Sequence, residues 1–339
     1  MAIFCFSSAS VAQDMTNLGI VTGSKTGTYF QIGNDINKII SYVCQSPVSV
    51  RESAGSLDNL RRLRKEEFVQ LAIVQHDVLS FAKVYKQDDK ELQDWVSKFR
   101  YIYSLYPEEV HIVTRKDSGI RTLRDLENRR VGVGLVDSGT QITATFLLRL
   151  AGLTIQAERA GPEEALNRLF LDRSDPKFLD AFFMVVGKPF KLLSDNNPRL
   201  KDLTLVTVDD ERVFSLYKHG TISRADYAWL DRDIETAATL SALVTFDFRG
   251  TNCDSVAMIA RQIEANLEEL QRIGHPKWNE VRLKEPVPGW ERYQCVTARL
   301  TAPLKGCRFT DQAAAPVIDR TDRCKHLSGP EKIICELGR

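Results

Sequence analysis

Small hydroxyl side chains and glycines gather at three places in this chain, each where a predicted strand hands over to a predicted helix. The first is Thr22-Gly23-Ser24-Lys25-Thr26-Gly27-Thr28-Tyr29. The second is Ser53-Ala54-Gly55-Ser56 with Asn59 a turn later, and the third is Asp137-Ser138-Gly139-Thr140. The first turn of a helix carries N–H groups without intrahelical acceptors and a partial positive charge, so it favours an anion. Glycine lets backbone approach a ligand closely. The chemistry these residues suit is non-covalent capture of a small carboxylate by hydroxyls and N–H groups.

Catalytic constellations are thin by comparison. The five histidines (His76, His111, His219, His275 and His326) have no metal-ligand spacing. His326 near Cys324 hints at zinc, but a cysteine in an exported chain is more often disulfide-bonded. No Gly-x-Ser-x-Gly elbow occurs. Gly27 is followed by Thr28-Tyr29 and not by the Lys-Ser/Thr of a phosphate loop. Gly132-Val133-Gly134 lies inside an apolar run with the wrong spacing for a dinucleotide fingerprint. Asp77 reads equally as a helix N-cap or a ligand contact, and Tyr29 as a core aromatic or a pocket wall. No enzyme activity and no cofactor are expected.

The elements that must position the three turns alternate strand and amphipathic helix, the pattern of an α/β layer fold. Strands are expected at 18–21, 48–51, 70–74, 130–136, 181–186, 203–208 and 243–248. Helices are expected at 29–43, 57–65 (capped by Ser56), 78–85, 92–99, 140–150, 163–171 and 255–270. Two extended segments, 101–105 and 110–114, are separated at Pro107. This layout predicts two lobes, residues 13–108 with 242–285 and residues 109–241, meeting at a central cleft. The first two turns then belong to one lobe and the third to the other. Lys25 and Lys188 lie in loops expected to face the cleft, where either could pair with a ligand carboxylate.

The 339 residues suffice for two cores. The 46 basic and 45 acidic residues nearly cancel, which argues against nucleic acid or an anionic membrane as the main partner. No run of eighteen apolar residues occurs. The opening apolar stub with Ser10 and Ala12 reads as a truncated signal peptide (1–12) or as a buried first strand; the former implies a periplasmic protein starting at Gln13. Removing Cys5 leaves six cysteines: Cys44, Cys253, Cys295, Cys307, Cys324 and Cys335. An even number suits disulfides in an oxidising compartment. Residues 286–339 lack long periodic segments and read as a disulfide-stapled extension. Sequential pairing of its four cysteines is expected, with Cys44–Cys253 as a long-range pair.

The same segments carry a family resemblance. The run from Thr22 to Phe30 with Ile32-Gly33, the run from Ser53 to Leu60, and Leu71-Ala72-Ile73-Val74-Gln75-His76-Asp77 resemble blocks of TAXI-type receptors of TRAP transporters. So do Ser104-Leu105-Tyr106-Pro107-Glu108 with His111, Ser138-Gly139-Thr140, and Asp180-Ala181-Phe182-Phe183 with Gly187 and Pro189. The resemblance covers about 18–270. It implies a type II periplasmic-binding fold, a glutamate- or 2-oxoglutarate-like ligand, and delivery to a TRAP membrane permease. It also adds Gln75, Phe183 and Gly187 to the expected ligand contacts. Lys188 departs from the small residue usual in the family, and the extension has no counterpart in it. A sensing or scaffold subunit using the same clamp without a permease is the alternative.

Overall fold

The computed structural model describes residues 18–44 and 47–299. The chain runs through β1 (Gly19–Val21), α1 (Thr28–Cys44), β2 (Ser49–Arg51), α2 (Ser56–Lys65), β3 (Leu71–Gln75), α3 (Val78–Tyr85) and α4 (Lys90–Val96). A long strand, β4 (Phe99–Arg115), leads to β5 (Arg130–Gly132), α5 (Gly139–Ala151), β6 (Gln156–Glu158) and α6 (Pro162–Arg168). Next come β7 (Ala181–Val186), α7 (Lys191–Ser194), β8 (Leu203–Leu205) and β9 (Lys218–Ile222). Then β10 (Ile234–Phe246) returns, followed by α8 (Thr251–Ala265), α9 (Leu267–Ile273), β11 (Glu291–Arg292) and α10 (Gln294–Arg299).

The strands form one mixed sheet in the order β2-β1-β3-β10-β4-β7-β5-β6, with β8 and β11 on β4 and β9 on β10. Its two ends are parallel: β1 pairs with β2 and β3, and β5 with β6 and β7. Between them β10 runs antiparallel to both β3 and β4, in a register from Phe246↔Phe99 to Ala238↔Glu109. The α/β class is as expected. Helical spacing of Ile32, Ile36, Ile39 and Ile40 gives α1 the apolar face that it buries. On β4 and β7 successive residues serve opposite faces of the sheet. Ile112 and Phe183 join one apolar cluster, and Val113 and Phe182 another.

Several boundaries differ from expectation for identifiable reasons. Pro107 does not divide β4. It pairs with Leu240 on one side, while β7 joins the other side only from Glu109, so its missing N–H leaves no ladder bond unmade. β10 starts at Ile234, because Thr236, Ala237, Ala238 and Ser241 are small residues that fit a fully buried strand without an apolar signature. β5 stops at Gly132, before a turn in which Gly134 has φ 84°. The single helix expected at 255–270 is two helices, α8 and α9, with Asn266 (φ −113°) between them.

The extension expected from residue 286 begins as part of the main body. Val287, Trp290, Tyr293 and Val296 are buried, and the Trp290 indole donates to the His76 carbonyl at 2.8 Å. Cys295 is bonded to Cys253, with their Cα atoms 5.9 Å apart. That overturns both the Cys44–Cys253 pair and the pairing of Cys295 within the tail. Cys44 is disulfide-bonded as well. The expected signal segment, Cys307, Cys324, Cys335 and His326 lie outside the described residues.

Candidate functional site

Where β4 and β10 pair, the loops after β1, β2 and β5 converge on a cavity of about 90 Å³. One water needs roughly 10–15 Å³ on this scale, so the space suits a molecule of a few heavy atoms. Eleven of the expected contacts line it: Ser24, Gly27, Thr28, Tyr29, Gly55, Ser56, Gln75, Ser138, Gly139, Thr140 and Phe183. Five do not. Lys25 extends into solvent 3.8 Å from Glu52. Thr26 donates to Glu163 at 2.7 Å. Asn59 is buried beneath the loops and donates to the carbonyls of Thr22 and Ile73. Gly187 contributes only its carbonyl, which accepts from the Thr28 hydroxyl at 2.7 Å. Lys188 turns away to the Thr221 carbonyl (2.6 Å) and Asp226 (2.9 Å).

Most of the hydroxyls expected to meet a ligand hold the loops in place. Ser56 does not cap α2; its Oγ accepts from Gln75 N at 3.0 Å. Ser138 caps α5, accepting from Gln141 N while donating to the Leu135 carbonyl. Thr140 Oγ1 accepts from Val185 N at 3.2 Å. The start of α2 is also occupied, because the N–H groups of Leu57 and Asp58 donate to the Asp137 carbonyl across the cavity. At α5, by contrast, no group among the described residues accepts from the N–H of Gly139 or Thr140. Those N–H groups, the opening turn of α1 and Ser24 are the donors left at the cavity wall.

The walls touch at two glycines. A Cβ on Gly139 would lie 1.6 Å from Gln75 Oε1, and Gly55, with φ 122°, would place one 3.2 Å from Gly139 N. Neither position admits a side chain in this closed arrangement. Gln75 Nε2 reaches over to Thr143 Oγ1 at 2.8 Å.

Glu108 was legible only as part of the crossing-strand motif, yet among the described residues it is the one carboxyl on the cavity wall. Its signal was an acidic side chain inside the apolar run of β4, where burial requires a partner. That partner is Tyr29, whose hydroxyl donates to Glu108 Oε2 at 2.5 Å. Tyr29 is therefore pocket wall and core aromatic together. Burial, reinforced by the neighbouring carboxylates of Asp77 and Glu109, raises the Glu108 carboxyl well above the usual range. Burial likewise raises the Tyr29 phenol, with Glu108 adding to the effect. Asp77 stands at the N-cap position of α3 without a side-chain cap bond, and it does not line the cavity. It is buried behind the cavity, accepting from Tyr217 (2.7 Å) and Thr143 (3.2 Å). Gly134, Leu135, Ala160, Pro162 and Val185 complete an apolar wall beside Phe183.

A larger cavity of about 490 Å³ lies elsewhere, near His76, Pro107 and Leu240. Its rim residues Leu216, Lys218, His219, Arg282 and Pro288 are exposed, and none of the three strand-to-helix turns reaches it. The smaller cavity, which all three loops line, is the better candidate.

The fold is that of periplasmic binding proteins. The periplasmic binding protein BugD superposes with a TM-score of 0.50 at 10% identity, covering 83% of this chain and 91% of that one. The alkanesulfonate-binding protein SsuA from Xanthomonas axonopodis pv. citri, bound to MOPS, gives 0.47 at 14% identity, covering 85% and 84%. An arginine transport-system periplasmic binding protein from Legionella pneumophila gives 0.44 at 14%, covering 76% and 94%. At 10% identity the likeness to BugD speaks to fold alone. A family model matches residues 20–288, most of the chain, and the chain belongs to the NMT1-like family.

Proposed function

We propose that the chain is a periplasmic solute receptor of a TRAP transporter of the TAXI type, closing two lobes on a small carboxylate and delivering it to a membrane permease. The lobes are residues 13–108 with 242–285 and residues 109–241, joined through β4 and β10. The observation that carries this reading is the cavity walled by loops from both sides of that pair of strands, with helix-start N–H groups and Ser24 as donors. A disulfide between Cys253 and Cys295 accords with an oxidising compartment outside the cytoplasm. Shutting the cleft satisfies the anion from both sides, so binding and closure are one event.

Mass spectrometry of solute released by denaturing the protein from its native host tests this reading. A small carboxylate is expected at near-equimolar amount, and adding it back to emptied protein should contract the radius of gyration in small-angle scattering. Turnover of that solute, or its binding without contraction, would contradict a receptor of this kind. Permease genes beside the coding sequence would support the transport partner; a neighbouring histidine kinase would point to sensing.

A further inference from the structure

Among the described residues the cavity wall carries one carboxyl, that of Glu108, and no lysine, arginine or histidine. The nearby cations are engaged elsewhere. Lys25 is at the surface beside Glu52, and Lys188 is held by Thr221 and Asp226. Lys277 is fully buried, but it bonds Glu109 at 2.6 Å and Glu280 at 2.9 Å. Neighbouring residues of a strand point to opposite faces, so Glu109 and Lys277 lie behind β4 while Glu108 opens on the cavity. Glu108 Oε2 accepts the Tyr29 hydroxyl, and among the described residues nothing donates to Oε1. A carboxyl oxygen is thus presented to whatever fills the space.

We propose that Glu108 is the counter-charge for a protonated amino group of the bound solute, which makes the solute a small neutral amino acid and not a dicarboxylate or a 2-oxo acid. The proposal rests on the carboxylate reading of the same cavity. The solute carboxylate faces the N–H groups of Gly139 and Thr140, its ammonium meets Glu108 Oε1, and its side chain lies on Leu135, Phe183 and Val185. A zwitterion adds no net charge to a site that already holds one acid. A dicarboxylate would place two negative charges in a cavity to which no described residue contributes a cation, where like charges are poorly screened.

The pH dependence separates the two kinds of ligand by sign. The groups around Glu108 are Tyr29, Asp77, Glu109 and Lys277, with Tyr106 two residues before it on β4. Burial favours the neutral carboxyl in the empty site. An ammonium requires the carboxylate, so amino-acid binding releases a proton and tightens as pH rises. An oxo-acid carboxylate instead requires the protonated, donating carboxyl, so its binding weakens as pH rises.

Isothermal titration of the wild-type protein with alanine, serine, valine, proline, glutamate and the matching 2-oxo acids, repeated between pH 5.5 and 8.5, tests the proposal. At least one neutral amino acid should bind, about a hundredfold tighter than its 2-oxo partner, with proton release and affinity rising with pH. Glu108→Gln should lower that affinity at least tenfold while leaving 2-oxo acid binding unchanged. A 2-oxo acid or dicarboxylate binding as tightly as the best neutral amino acid, or affinity falling with pH, would overturn the proposal and leave the carboxylate reading standing. Binding by no member of the panel would overturn both. The wild-type pH series decides the matter even should the Glu108→Gln protein fail to fold.

Discussion

Thr140 illustrates how a side chain in a binding wall serves the fold first. Its hydroxyl accepts from the buried Val185 N–H, so truncation leaves that donor without a partner. An unsatisfied buried donor costs about 1–3 kcal/mol. Thr140→Ala should therefore lower the stability of the empty protein by about that much in urea unfolding, and Thr140→Ser should recover most of the loss. Ser24 is half-buried, and among the described residues its hydroxyl meets only Thr26, at 3.4 Å. Ser24→Ala should change stability by less than about 0.5 kcal/mol. Residue type and position in a strand-to-helix turn brought nine wall residues within reach of sequence reasoning, and the family resemblance added Gln75 and Phe183. What the pattern does not encode is which hydroxyls are already occupied, since Ser56, Ser138 and Thr140 find their partners only once β3, α5 and β7 are assembled. Lys25 and Lys188 misled for a related reason: a lysine stem is long enough to leave the loop that bears it.

Between elements, the contact that shuts the cavity is the loop before α5 laid on the start of α2. Asp137, with φ 63°, offers its carbonyl to Leu57 N and Asp58 N and its carboxylate to Arg61 and to Lys86 (3.4 Å). The carbonyl takes the place that a bound anion was expected to occupy, and the partial charge of the helix start is answered from the facing loop. Asp137→Asn keeps a residue that tolerates positive φ but removes the charge. Ligand affinity should fall about three- to tenfold, corresponding to ~0.7–1.4 kcal/mol of closed-state stabilisation. The gap from wild type should narrow in 0.5 M salt, because partly exposed ion pairs are screened; a salt-independent gap would assign the effect to packing. The periodic elements were the legible ones: α3 and β7 fall where their apolar spacing puts them. By contrast, β9 (Lys-His-Gly-Thr-Ile) and β6 (Gln-Ala-Glu) are polar peripheral strands whose existence depends on the strands beside them.

At the scale of the whole molecule, the bond between Cys253 and Cys295 ties the last described helix back onto the body. α10 packs on α8, and Arg299 meets Asp254 at 2.6 Å beside the disulfide. Cysteine parity indicated an oxidised chain, but spacing alone cannot choose among pairings, and here the choice follows from β11 joining β4 and so delivering Cys295 to α8. The bridge joins residues 42 apart in sequence. Closing a loop of that length restricts the unfolded chain enough to contribute about 3–4 kcal/mol. Neither cysteine lines the cavity. Replacing both with serine should therefore lower the unfolding free energy by about that amount while leaving ligand affinity at 25 °C within about twofold of wild type. Urea unfolding of the double variant, paired with calorimetric titration of the folded protein, measures the two effects separately. Lost affinity at full stability would mean that this C-terminal segment steers closure, whereas lost stability at full affinity would confirm that it acts as a staple on the outside of the binding fold.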